Sequence, residues 1–408
     1  MMSRSLGMYA YPWDLLDEGV EQVLDALHER AGLTSIYLTS WYHSGMFFLP
    51  HNPNRKLYFP EPGALYFEPG AWHSSSPIEP PISELTDDWG AFWASVRAGC
   101  DARGMTLTSW MPVLHNTGAA QRYPQFAVHN AWGDHITHSL CPSHPEVVDL
   151  VADVVGDVAD TGLFDRILLE SIEYLPLRHG HHHEVIGLEM GPELEFLLSL
   201  CFCSGCRARA KASGLDVDGL QRWVVQSCSE ALGGAATTVP TGWAALKSSS
   251  DGSLGRYLDL RSQALTDTLK AVRERLGEAG PTLAILDFGP LYPLGPDGRR
   301  WQSGVDLDAQ LPLVDEVHPT FYFTDAALNA AKIAEYAAVL AGEKPQVPAV
   351  RAITPQTTSR ESLLEQVAQC APHAGGFTFY NYGFMPLETL DWIREAIEAL
   401  PHEAQHGA

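Results

Sequence analysis

Apolar and polar positions along this chain alternate in two rhythms, and their succession predicts an architecture. Runs rich in β-branched, aromatic or bulky apolar residues occur at 6–12 (LGMYAYP), 34–41 (TSIYLTSW), 105–115 (MTLTSWMPVLH) and 164–170 (FDRILLE). They recur at 282–287 (TLAILD), 314–322 (VDEVHPTFY), 346–353 (QVPAVRAI) and 375–380 (GGFTFY), and each reads as a strand. Between them apolar residues return at helical spacing, as in Leu16, Val20, Val23, Leu24 and Leu27, or Trp89, Phe92, Trp93, Val96 and Cys100. Further helices are predicted over 147–158, 216–232, 254–276, 325–341, 359–371 and 386–399. Strand followed by helix, repeated around eight strands, is the pattern of an α/β (β/α)8 barrel, here one domain over residues 1–408.

Two long insertions break the rhythm. Residues 44–83 combine many prolines with Phe47, Phe48, Tyr58, Phe59, Tyr66, Phe67 and Trp72, a composition that predicts a rim loop over the barrel mouth. Residues 171–250, after the fourth strand, form a larger insertion with a His-rich segment, a Cys-rich segment and a Gly/Thr/Ser-rich surface connection at 233–250. A shorter polar and aromatic insertion spans 117–143.

In such a barrel the carboxyl ends of the strands converge on one cleft. Those ends carry Tyr11 and Trp13, Trp41 and His43, His115 and Asn116, Glu170 and Glu173, Asp287, His318 and Tyr322, Arg351, and Tyr380, Asn381 and Tyr382. If Leu168 faces the interior, so does Glu170, while Asp287 shares a face with Leu283 and Ile285. Glu170, as nucleophile or base, and Asp287, as general acid, are the expected catalytic pair, two interior carboxyls at neighbouring strand tops whose pKa values can split. Trp41, His43, His115, Asn116, Glu173, His181, His318, Tyr322, Arg351, Tyr380 and Asn381 are the expected substrate contacts. Flat rings suit the C–H faces of sugars, with Trp41, Trp110, Trp132, Trp301, Tyr322 and Tyr380 as candidates. No Gly-rich phosphate loop is present.

Composition narrows the partners. With 50 acidic against 26 basic residues the formal charge is −24, which disfavours nucleic acid and anionic membranes. No apolar run reaches membrane-spanning length and the first residues lack a signal-like core, so a cytoplasmic protein is expected, compatible with a homodimer. Seven cysteines do not suggest a disulfide framework. Cys201, Cys203 and Cys206 are spaced for a structural zinc that Cys141, Cys228 or a His would complete; no cofactor is expected for catalysis. The run His179–His183 reads better as structural or substrate-orienting than as a metal site.

The segments FDRILLESIEY, LCPSHPEV (140–147), CFCSGCR (201–207) and GGFTFYNYG (375–383) together resemble the hypothetical glycosyl-hydrolase-like barrels of bacteria, related in fold to family 10 and α-amylase-type glycoside hydrolases. The resemblance implies a (β/α)8 barrel acting on small carbohydrates or oligosaccharides. Family 10 relatives place Asn-Glu at strand four and a second Glu at strand seven, where this chain has Leu169-Glu170 and Arg351. The amylase-like placement, on strands four and five, maps onto Glu170 and Asp287. Two alternatives stand beside hydrolysis. One is a metal-dependent sugar isomerase or epimerase using His115, Glu170, Asp287 and His318, and the other a carbohydrate-binding barrel without catalysis.

Overall fold

The computed structural model describes residues 5–70, 76–178, 185–234, 239–289, 302–340, 342 and 344–400. Eight parallel strands make up its central sheet: β1 Ser5–Ala10, β2 Ser35–Thr39, β3 Thr106–Pro112, β4 Arg166–Glu170, β5 Thr282–Asp287, β6 Glu316–Pro319, β7 Ala349–Arg351 and β8 Gly376–Tyr380. Consecutive strands pair in order, β8 returns to β1, and bridges Val317–Gln346 and Thr320–Ala349 link β6 to β7 and close the ring. The chain is an α/β (β/α)8 barrel. Its β4 residues Ile167, Leu168 and Leu169 are fully buried, as a strand covered by side chains on one face and helices on the other requires.

Helices pack outside the strands. Pro145–Asp160 starts with Pro at its first turn and buries Val147, Leu150, Val151, Val154, Val155 and Val158. It lies against the long helix Ser253–Leu276, and Gly156 permits the contact, since a Cβ there would come within 2.3 Å of Arg275 Nε. Asp88 caps Trp89–Arg103, and Gly104, with φ of 64°, ends it. Among the described residues no helix is long and apolar enough to cross a membrane.

Residues 44–70 and 76–83 pack against the chain just past β1 and β2, with Phe47 on Tyr11 and Trp13 and the Tyr42 N–H bound to Ala64 O. Phe47–Phe48 and Leu57–Tyr58 make a two-stranded hairpin, and Leu65 bridges to both Trp41 and Ile82. A second hairpin, Ala127–His129 with His135–Leu140, sits in the insertion after β3.

The lower part of the barrel interior is polar. Ser35 Oγ lies 3.2 Å from Ser5 Oγ and 2.6 Å from Thr106 Oγ1. Above them the Arg166 guanidinium spans Glu316, Nε to Oε2 at 2.9 Å and Nη2 to Oε1 at 3.1 Å. His318 Nε2 lies 3.3 Å from the same Oε2, and its ring meets the Tyr37 ring edge-on with centroids 5.6 Å apart.

Candidate active site

Register decides which strand-end side chains meet. Leu168 pairs with Ala284 on β5, so Glu170 and Leu286 continue one face while Leu283, Ile285 and Asp287 continue the other. The interior face is marked by contacts among Tyr9, Tyr37, Trp110 and Tyr380, whose rings touch across the barrel. Glu170 belongs to that interior set. Asp287 does not, which corrects the expectation of two interior carboxylates. It faces the helices, where Tyr336 of helix Ala326–Leu340 donates to its Oδ2 at 2.6 Å and Gly289 N–H to its Oδ1 at 2.8 Å.

Glu170 stands at the bottom of an aromatic cage. Trp110 Nε1 donates to its Oε2 at 2.6 Å. Tyr11 donates to the Tyr42 hydroxyl at 2.9 Å and lies 3.3 Å from the Tyr380 hydroxyl, while Tyr322 flanks Tyr380 with ring centroids 6.5 Å apart. Phe47 of the first hairpin extends the cage by stacking on Tyr11 and Trp13. The Arg351 guanidinium lies 5.7 Å from the Tyr322 ring, and its buried Nε has no partner among the described residues.

Electrostatics follow from this packing. Glu170 keeps some accessible surface yet is surrounded by protein, and burial pushes its carboxyl up to about 7, against the pull of the Trp110 N–H toward the ionised form. Burial also raises the phenols around it, Tyr380 to about 12, and the Glu170 charge adds to the rise at Tyr9, Tyr42, Tyr322 and Tyr380. The backbone turns sharply just past the carboxylate, with Ser171 at φ of 55°, a left-handed conformation uncommon for a residue with a side chain.

The remaining expected contacts divide. His43 and His115 stack with ring centroids 3.7 Å apart, and His43 also lies on Tyr42, so these two adjoin the cage. Glu173 is buried beside the β4 and β5 ends and lines a small crevice with Asp287 and Gln310. Four residues have other duties. Trp41 is fully buried, its Nε1 bound to Gly63 O, so it is core and not a sugar platform. Asn116 caps the helix Thr117–Arg122 through Ala119 N–H. Asn381 is buried and caps the turn at 382–384 through Gly383 N–H. His318 belongs to the Arg166–Glu316 layer inside the barrel, where burial lowers its pKa. His181 and Trp301 lie outside the described residues, and Trp132 is exposed on the second hairpin turn.

Tyr11 and Tyr42 stand at strand ends and Phe47 in the 44–83 insertion, yet none of the three is among the expected substrate contacts. Parity offered a signal for the first, since Tyr9 and Tyr11 share a face of the extended chain. The four-residue divalent site does not assemble, because Asp287 faces outward and His318 pairs with Glu316. Among the described residues, Cys141, Cys201, Cys203 and Cys206 form the one group of three or more His, Cys, Asp or Glu side chains placed to hold a metal ion.

The outward turn of Asp287 has a testable consequence. Asp287→Asn removes a charge-assisted hydrogen bond to Tyr336, and urea unfolding is expected to show a loss of about 1–3 kcal/mol. Turnover by the folded variant should stay within about tenfold of wild type, about 1.4 kcal/mol of barrier. A loss of several orders of magnitude in kcat would return Asp287 to the reacting centre.

No family model matches the chain, and no curated protein sequence matches it. Its fold is shared with solved glycoside hydrolases. The PgaB (BpsB) glycoside hydrolase domain from Bordetella bronchiseptica superposes with a TM-score of 0.56 at 13% identity over 99% of each chain. The β-galactosidase from the Antarctic haloarchaeon Halorubrum lacusprofundi gives 0.55 at 13% identity, covering 96% of this chain and 57% of that one. The endo-1,4-β-mannanase from Rhizomucor miehei gives 0.50 at 10% identity, covering 98% and 95%. At such identities the likeness is one of fold: this chain is a TIM barrel built like those of solved glycoside hydrolases.

Proposed function

We propose that this protein hydrolyses glycosidic bonds, with Glu170 as the group that protonates the leaving oxygen. The observation that carries the reading is the recessed Glu170 carboxyl, raised to about 7, held by Trp110 and ringed by Tyr11, Tyr42, Tyr322 and Tyr380. A carboxyl of that pKa is protonated in a useful fraction near neutral pH, and the aromatic walls suit the apolar faces of a sugar. Arg351, His43 and His115 would hold hydroxyl or anionic groups of the sugar at the cage edge.

Hydrolysis through paired carboxyls needs a second one. Glu173, buried three residues beyond Glu170 in the loop that leaves β4, takes the second role in this proposal by its position. The fold likeness to enzymes acting on β-galactosides and mannan supports a carbohydrate substrate without specifying one.

The test is a panel of aryl glycosides and natural oligosaccharides, assayed before and after brief chelation, with the anomer of the product read by NMR. Turnover that survives chelation is expected. Turnover abolished by chelation would favour sugar isomerisation through a divalent ion, and tight sugar binding without product would leave a binding barrel.

A further inference from the structure

We propose that Cys141, Cys201, Cys203 and Cys206 bind one zinc ion as a closed structural tetrathiolate site. The inference does not depend on the carbohydrate reading. Three of the ligands come from one short segment, Cys201-x-Cys203-x-x-Cys206, and the fourth from sixty residues earlier in the chain, just past the second hairpin. All four are buried, and their sulfurs lie within 4.8 Å of one another. Cys141 Sγ is 3.4 Å from Cys206 Sγ and 3.7 Å from Cys201 Sγ. Zinc with four thiolates at about 2.3 Å has sulfur–sulfur edges of about 3.8 Å, so these sulfurs already stand near the corners of such a tetrahedron. Cys228, the other expected ligand, is not in the group.

The surroundings are those of a metal thiolate site. Cys203 caps the helix Ser204–Ala212, its sulfur accepting the Cys206 N–H at 3.5 Å. Ser143 Oγ lies 3.2 Å from Cys206 Sγ, and the Tyr174 hydroxyl 4.0 Å from Cys141 Sγ, so hydroxyl groups reach the sulfurs from the other side. Gly205 allows the two segments to meet, since a Cβ there would lie 2.7 Å from Ser143 O. Thiols packed only as small apolar groups have no reason to converge from two separate insertions on one point.

With four protein ligands the ion would have no open position for water or substrate, so its role is to staple. It would tie the insertion after β3 to the insertion after β4. The tied region includes Tyr174, four residues beyond Glu170, whose ring carries the Arg261 guanidinium at 4.0 Å and whose N–H donates to Ser303 O. The staple therefore lies behind the loop that leaves the proposed catalytic residue.

The experiment measures metal in the full chain, purified without metal-affinity chromatography, by inductively coupled plasma mass spectrometry. Stoichiometric zinc is expected, and Cys203→Ser and Cys206→Ser should each lower it by about tenfold or more, given the four-ligand requirement. Because those variants can fail to fold, the wild type is also titrated with an organomercurial in the presence of a chromogenic chelator. Zinc release in step with modification of four thiols is expected. Cobalt reconstitution should give the sulfur-to-metal charge-transfer bands of a tetrahedral thiolate site. A His181→Ala/His182→Ala/His183→Ala variant should keep its zinc. Folded wild type without zinc and with four freely alkylated thiols would overturn the proposal, as would zinc lost with the three histidines but kept in Cys206→Ser. Iron in place of zinc would overturn the choice of metal.

Discussion

Glu170→Gln is expected to lower kcat/KM for oligosaccharides by about 10²- to 10⁴-fold, the usual worth of a positioned proton donor, while the protein stays folded. Glutamine can still accept the Trp110 N–H, so the cage should survive the change, but it has no proton to give. The loss should shrink for aryl glycosides whose phenolate leaves readily, because such a leaving group needs little protonation. In the wild type the free-enzyme profile should fall as pH rises through about 7, where the folded Glu170 gives up its proton. Trp110→Phe deletes the hydrogen bond that favours the charged carboxylate, so this basic limb should move to higher pH. The Glu170→Gln substitution should raise stability at high pH while it lowers activity. The unfolded chain ionises Glu170 at its ordinary value of 4.5, whereas the folded chain keeps the proton to about 7. Folding is therefore progressively opposed as pH rises between those values, and Glu170→Gln should be the more stable protein at pH 8. Full activity in the Gln variant, or a limb indifferent to Trp110→Phe, would remove Glu170 from proton transfer.

Periodicity was enough to place the barrel. The eight apolar runs and the helical stripes between them appear in the structure with ends shifted by a few residues, because barrel strands and their helices must each bury one patterned face. Site chemistry was less legible. Sequence shows which residues stand near a strand end but gives the parity of each strand only relative to itself. Leu168 and Glu170 share a face, and so do Ile285 and Asp287, yet nothing in the chain says that these faces are opposite until Leu168 is paired with Ala284. Asn116 and Asn381 misled for a different reason. Asn is equally suited to holding a hydroxyl and to capping a turn, and the local backbone claimed both side chains. Cys141 could be named as one of several fourth ligands, but its selection over Cys228 needed the second hairpin to fold against the Cys-rich segment. The Arg166–Glu316–His318 layer carried no sequence signal at all, since Arg166 opens β4 like any solvated charge and meets its partner two strands away across the barrel.

That layer should yield the largest change in stability. Glu316→Gln leaves the Arg166 guanidinium in the barrel interior without its bidentate partner, and urea unfolding at pH 7 is expected to show a loss of about 3–5 kcal/mol. Replacing both partners at once, Arg166→Met with Glu316→Leu, should recover most of it, because the pair costs desolvation that an apolar pair avoids. The double-mutant cycle separates the coupling from the burial. The pH dependence adds a second signature. Burial works to raise the Glu316 carboxyl, but its hydrogen bond with His318 and the adjacent Arg166 charge overcome this and hold it down at about 2. A carboxyl depressed in the fold stabilises above its ordinary value and loses that contribution as pH falls toward the folded value. The gap between wild type and Glu316→Gln should therefore be constant from pH 7 to about 5 and narrow below it. The position of His318 makes the same variant informative about function. If His318 is part of the barrel's internal packing, folded Glu316→Gln should keep its sugar KM and lose less than about tenfold in kcat, about 1.4 kcal/mol of barrier. A marked rise in KM with unchanged stability would instead place His318 against the substrate and relegate the ion pair to holding its ring in place.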